Sequence, residues 1–328
     1  VADIDGRADP MIVRGWHFSF DAGGDPALAT LYYPGDRLRL EEARLSGQVP
    51  AAAGGLWPLV IVMPGINVAP DGYRWLARRL VPCGVCVVTY AAIGSLGPAG
   101  RGITPGLDLA ALAPESIGSR PVATALGPLL ERLARVSDAD DSPVSGRLDF
   151  GRVVMGGHSA GGTAALHASD PKWVPGLRAV FAYGAHTMAA TALGHGEAAV
   201  VPVPAEVPVM LLCGASDGVI AASRDRYRHG GGVHDPVRRT FEEAIGRSRG
   251  DSWLVELAGA GHFAVCHPVD TTSGRAFLEP DPTEADPSAR ELIGDLIAAF
   301  VAAGLEQLAG AGLEQLVEHD LVAHWERR

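Results

Sequence analysis

Predominantly apolar runs recur along the chain at Pro58–Met63, Val85–Tyr90, Arg152–Met155, Leu177–Tyr183, Val207–Cys213 and Trp253–Leu257, the first of them continuous. A run without polar alternation is what a strand covered on both faces requires, as in a parallel sheet. Helical periodicity falls between the runs. Tyr73 to Val81 places Trp75, Leu76, Leu80 and Val81 on one side, and Ser119 to Arg135 does the same with Val122, Leu126, Leu129, Leu130 and Leu133. Further helices are predicted after Gly162, from Pro236 to Arg247 and from Ser288 to Ala303. Two β-rich stretches, 11–20 and 27–33, precede this alternation and are separated by the turn sequence Asp21–Pro26. The pattern predicts the α/β class: a mostly parallel, doubly wound sheet opened by an antiparallel hairpin.

The intervening segments are of two kinds. Residues 34–55 are polar, a surface connection, whereas Gly94 to Pro114 is rich in Gly, Pro and Ala, a long loop of the sort that borders a site. Segments 185–204, 218–251 and 271–287 are long enough to act as lid-like insertions within a main domain of residues 1–303. In the tail, 304–328, Gly304-Leu305-Glu306-Gln307-Leu308 recurs as Gly312-Leu313-Glu314-Gln315-Leu316. Leu313, Val317, Leu321 and Trp325 lie four apart, which predicts an amphipathic helix. Such a ridge either covers its own domain or docks a second copy as a homo-oligomer.

Composition narrows the partners. The 328 residues are 47% hydrophobic and carry a formal charge of −11, which disfavours nucleic acid and anionic membrane surfaces. No run approaches the roughly 18 apolar residues that a membrane span needs. Four cysteines, at 83, 86, 213 and 266, are too few for a disulfide-stapled secreted domain and favour the cytoplasm. The chain begins at Val1, so a removed leader and secretion stay open. Cys86 lies inside an apolar run, which favours a buried thiol over a redox pair with Cys83; a bridge between Cys213 and Cys266 is left open. His319 and His324 lack the partners of a metal site, and no metal or cofactor is expected.

The candidate chemistry centres on Gly157-His158-Ser159-Ala160-Gly161, which joins an apolar run to a helix. A serine at a tight strand-to-helix turn needs nearly side-chain-free residues two before and two after it, so that strand and helix can pass closely. Its hydroxyl is a poor nucleophile unless a base lies within hydrogen-bond reach and a third group orients that base. Asp217 and His262 each follow an apolar run, and the chain order Ser159, Asp217, His262 completes those roles, with Asp225, Asp235 and Asp251 of the same insertion as alternative acids.

With Met63-Pro64-Gly65-Ile66-Asn67, Gly214-Ala215-Ser216-Asp217 and Gly259-Ala260-Gly261-His262-Phe263, this order resembles the α/β-hydrolases over about residues 11–303. Within them the chain is similar to cutinase-like and polyester-hydrolase-like carboxylesterases, with chlorophyllase and dienelactone hydrolase relatives. The resemblance implies Ser159 as nucleophile, His262 as base and then acid, Asp217 as orienting carboxylate, and an oxyanion hole from the backbone N–H groups of Ile66 and Ala160. It also implies a pocket with Asn67, His158, His186 and Phe263, and a small-molecule ester as substrate. Ile66 replaces the aromatic residue, and Tyr183-Gly184-Ala185-His186 the tryptophan, that polyester hydrolases carry, which argues against a clamp for polymers. Thioesterase, lactonase or cyclase activity would use the same triad, and a non-catalytic ligand-binding protein is the alternative of another class.

Overall fold

The apolar runs assemble into one sheet of ten strands in a computed structural model. The structure describes residues 11–41, 43–97, 100–204, 206–224, 235–246, 250–279, 287–306 and 311–328. In chain order the strands are β1 (Met11–Asp21), β2 (Pro26–Asp36), β3 (Trp57–Met63), β4 (Cys86–Ser95), β5 (Arg101–Thr104), β6 (Leu148–His158), β7 (Leu177–Tyr183), β8 (Val209–Gly214), β9 (Trp253–Leu257) and β10 (Val322–Arg327). Their spatial order is β1-β2-β4-β3-β6-β7-β8-β9-β10, with β5 paired to β4. Neighbours from β4 across to β9 are parallel, while the β1–β2 hairpin and β10 close the two edges antiparallel. The chain is thus a mixed α/β protein with a mostly parallel sheet.

Both faces are covered, which is why the runs are mostly apolar. The helices are α1 (Arg74–Leu80), α2 (Leu126–Asp138), α3 (Ala160–His167), α4 (Gly218–Arg224), α5 (Pro236–Arg239), α6 (Pro287–Gly304) and α7 (Ala311–Leu316). Alternate residues of β3 serve opposite layers: Leu59, Ile61 and Met63 pack with Leu126, Leu129 and Leu133 of α2 and Leu166 of α3. Val60 and Val62 pack with Leu76 and Leu80 of α1 and with Ile293, Leu296 and Ile297 of α6. Each such side chain stabilises the fold by roughly 1.5–3 kcal/mol. No described helix is long and apolar enough to cross a membrane.

Several elements depart from the sequence pattern. The Gly94–Pro114 loop contains β5, folded back on β4 from Ile93↔Ile103 to Ser95↔Arg101. Helix α2 starts at Leu126 rather than near Ser119, because the backbone just before it bonds elsewhere: Asp108 N–H to Val122 O at 2.9 Å and Thr124 N–H to Gly106 O at 2.9 Å. The helix from Pro236 continues as a π turn and ends at Ala244, and residues 247–249 lie outside the described residues.

The tail is not one amphipathic helix. Helix α7 stops at Leu316, and Trp325 sits on β10 opposite Val255. Without β10, the outer N–H and C=O groups of β9 would lack strand partners, and pairing them outweighs prolonging the helix. A four-residue spacing also keeps one face of a strand, so the ridge could not tell the two apart. Leu313 and Val317 are buried in the same layer as α6, so this part of the ridge packs on its own domain. Gln307 and Leu308 of the repeat lie outside the described residues.

Candidate active site

Strand β6 ends at His158 and α3 begins at Ala160, so Ser159 alone makes the turn, at φ 55° and ψ −124°. A non-glycine residue held there costs about 1–3 kcal/mol and persists only where its surroundings enforce it. They do: Ser159 N–H donates to Tyr183 O at 2.9 Å, and Thr163 N–H donates to Ser159 O at 3.0 Å. A Cβ on Gly157 would approach the Gly161 backbone to 2.3 Å, and one on Gly161 would approach Met63 O to 2.3 Å. The glycine spacing of the motif is therefore a packing requirement in this chain.

Asp217 and His262 come from the loops after β8 and β9. His262 Nδ1 lies 2.8 Å from Asp217 Oδ2, with both side chains buried. Asp217 is held in turn by Ile220 N–H, which donates to Oδ1 at 2.7 Å. The histidine loop is fixed by Tyr183 Oη, donating to Gly261 O at 2.7 Å, and by Trp75 Nε1, donating to Val265 O at 2.8 Å.

Ser159 and His262 line the same cavity, of about 640 Å³, without a hydrogen bond between them. Bonds of this kind commonly tighten only when substrate is present. Ile66, Asn67, Ala160, His158 and Phe263 line it as well. Among the described residues, no acceptor is bonded to the N–H of Ile66 or of Ala160, the first residue of α3. Two free donors, one at a helix N-terminus, suit a developing negative charge. Asn67 N–H donates to Ile103 O at 2.9 Å, so the unforeseen strand β5 supports the Ile66 loop.

Three further residues shape the site. Glu279 accepts from Gly218 N–H at 3.0 Å through Oε1 and from His262 N–H through Oε2, so one carboxylate ties the acid loop to the histidine loop. Burial and the charge of Asp217 push its carboxyl above the ordinary range. Gly184, at φ 57°, lies under the pair, where a Cβ would come within 2.9 Å of His262 Nδ1. Tyr73 Oη accepts from Gly65 N–H at 2.9 Å and lies 2.9 Å from His158 Nδ1, linking the Ile66 loop to the elbow. His158 is buried, its ring centroid 4.7 Å from that of His262, and burial holds its basicity well below the ordinary histidine range. Glycine or a buried tyrosine carries no local sequence signal for these roles, since each depends on contacts between distant segments.

Other expectations need correction. His186 is not among the cavity-lining residues; its carbonyl accepts from Thr163 Oγ1 at 2.9 Å and its Nδ1 from Met188 N–H at 3.2 Å, so it ties its own segment to α3. Segment 185–204 contributes nothing to the cavity wall, because it turns away and packs on the 240–244 turn through Thr187 N–H to Thr240 Oγ1 at 2.9 Å. The wall is built by 95–97, Thr104, Leu107 and Leu109, by Val219 of the 218–251 insertion and by Gly274 and Arg275 of the 271–287 insertion. Parts of these other two insertions, 225–234, 247–249 and 280–286, lie outside the described residues. All four cysteines are free thiols, and burial pushes Cys266 up to about 12. No family model matches the chain, and no curated protein does.

Proposed function

We propose that the protein is a serine-dependent carboxylic-ester hydrolase on the α/β-hydrolase fold, acting on a small or medium, mainly apolar ester. The observation that carries the reading is the buried Asp217–His262 pair, at 2.8 Å, opening on the cavity that also holds the strained Ser159. The cavity volume is in the range of small-molecule sites, and Val68, Leu96, Leu107, Leu109 and Phe263 make much of its wall apolar.

In this reading Ser159 Oγ attacks the ester carbonyl carbon as its proton passes to His262 Nε2. Asp217 orients the ring and stabilises the imidazolium. The carbonyl oxygen takes the negative charge between the N–H groups of Ile66 and Ala160, each donor lowering the barrier by about 3 kcal/mol. Collapse breaks the bond to the alcohol oxygen, which leaves with the proton from His262. A water then gives a proton to His262 and attacks the acyl carbon; the acid departs and Ser159 recovers its proton.

A fluorophosphonate probe tests this directly. The expected result is one label per folded chain, at Ser159, absent in Ser159→Ala, together with loss of ester turnover by at least about a thousandfold. Folded protein that neither labels nor turns over short 4-nitrophenyl esters would end the proposal.

A further inference from the structure

The cavity wall holds one residue whose charge the reaction does not use. Of the side chains lining it, Arg275 alone carries a fixed charge; the others are apolar, small or neutral polar, apart from the histidines. Several arginines elsewhere are paired, among them Arg101 with Asp25, Arg152 with Asp149 and Arg327 with Glu314. Arg275 has neither an ion pair nor a side-chain hydrogen bond among the described residues, although acidic residues outnumber Lys and Arg by 38 to 27 in the chain.

Arg275 is exposed, but its segment is tied down. Four residues on, Glu279 holds the backbones of both Gly218 and His262, and the 3-10 turn Ala276–Leu278 between them is closed by Leu278 N–H to Arg275 O at 3.0 Å and Glu279 N–H to Ala276 O at 3.1 Å. The guanidinium is therefore carried on a segment fastened to the catalytic loops. A planar cation with no ion pair among the described residues, at a cavity with apolar walls, suits a carboxylate or phosphate, which it can bind with paired N–H donors.

Resting on the hydrolase reading above, we propose that the substrate is an ester bearing a remote anionic group, which Arg275 binds while Ser159 attacks the carbonyl. The two ends of the ligand are then read by different chemistry: two backbone N–H groups at the ester, a guanidinium at the anion, and apolar side chains between.

The test compares the mono-4-nitrophenyl esters of adipate and suberate with 4-nitrophenyl hexanoate and octanoate, after subtraction of spontaneous hydrolysis. The wild-type protein is expected to favour the anionic member of each pair in kcat/KM by about 5- to 10-fold. Arg275→Gln should shrink that ratio mainly through KM, Arg275→Lys should retain part of it, and added salt should erode it in the wild-type protein. Turnover of both esters with no anionic preference, or a preference that Arg275→Gln and salt leave in place, overturns the proposal while the hydrolase reading stands. Failure of the wild-type protein to cleave any of the four, with no fluorophosphonate labelling, removes the hydrolase reading and this one with it.

Discussion

A methyl group at Gly184 would meet His262 Nδ1 at 2.9 Å and Asp217 Oδ2 at 3.0 Å, on a backbone already at φ 57°. Gly184→Ala is expected to lower thermal stability by about 1–2 kcal/mol and to reduce kcat by misplacing the pair. Gly196→Ala, where a Cβ meets nothing within 4 Å, is the control in the same melts and assays. Glu279→Gln keeps an acceptor for one of two N–H groups but loses the charge, so kcat should fall about tenfold with KM little changed. Glu279→Ala should fall further, and equal losses in the two variants would show that the acceptor has no positioning role. Ser159, Asp217 and His262 could be proposed from the sequence because each lies in the short loop that follows an apolar run. Glu279 and Gly184 were not, since what defines them is proximity to groups far away in the chain.

At the level of elements, the parallel strands could be read because burial on both faces leaves an unbroken apolar signature. The short strands β5 and β10 lack it: β10 alternates between half-buried and exposed positions, and its Trp325 remains 38% exposed. Such strands exist because a neighbour needs pairing, a demand invisible from their own residues. Trp325 packs on Trp253 at 5.8 Å between ring centroids, and the Arg327 guanidinium lies 4.7 Å from the Trp253 ring. Deleting residues 322–328 should lower the melting temperature by several degrees and promote association through the bared edge of β9. Calorimetry and size-exclusion chromatography check the two effects; Trp325→Ala should reproduce part of the first without the second.

Across the whole molecule, buried histidines set the response to acid. Burial, with His186 and His195 nearby, holds His167 to about 4, below its ordinary value of about 6.5, and His158 is lowered as well. The unfolded chain therefore binds protons below about pH 6.5 that the folded chain refuses, and stability is lost as pH falls from there towards 4. His167 accounts for about 3 kcal/mol of that loss. Urea midpoints at pH 7, 5.5 and 4.5 should fall in that order, with a shallower slope in His167→Gln; a flat profile would contradict the assignment.

Strand β10 also has a bearing on synthesis. It follows Ser159, Asp217 and His262 in the chain, yet it supplies the outer partner of the strand that leads into the histidine loop. A ribosome-bound chain that has already exposed all three residues would still hold β9 as an unpaired edge. On the hydrolase reading proposed above, ester turnover during translation should therefore rise further once the residues of β10 have left the exit tunnel and paired with β9.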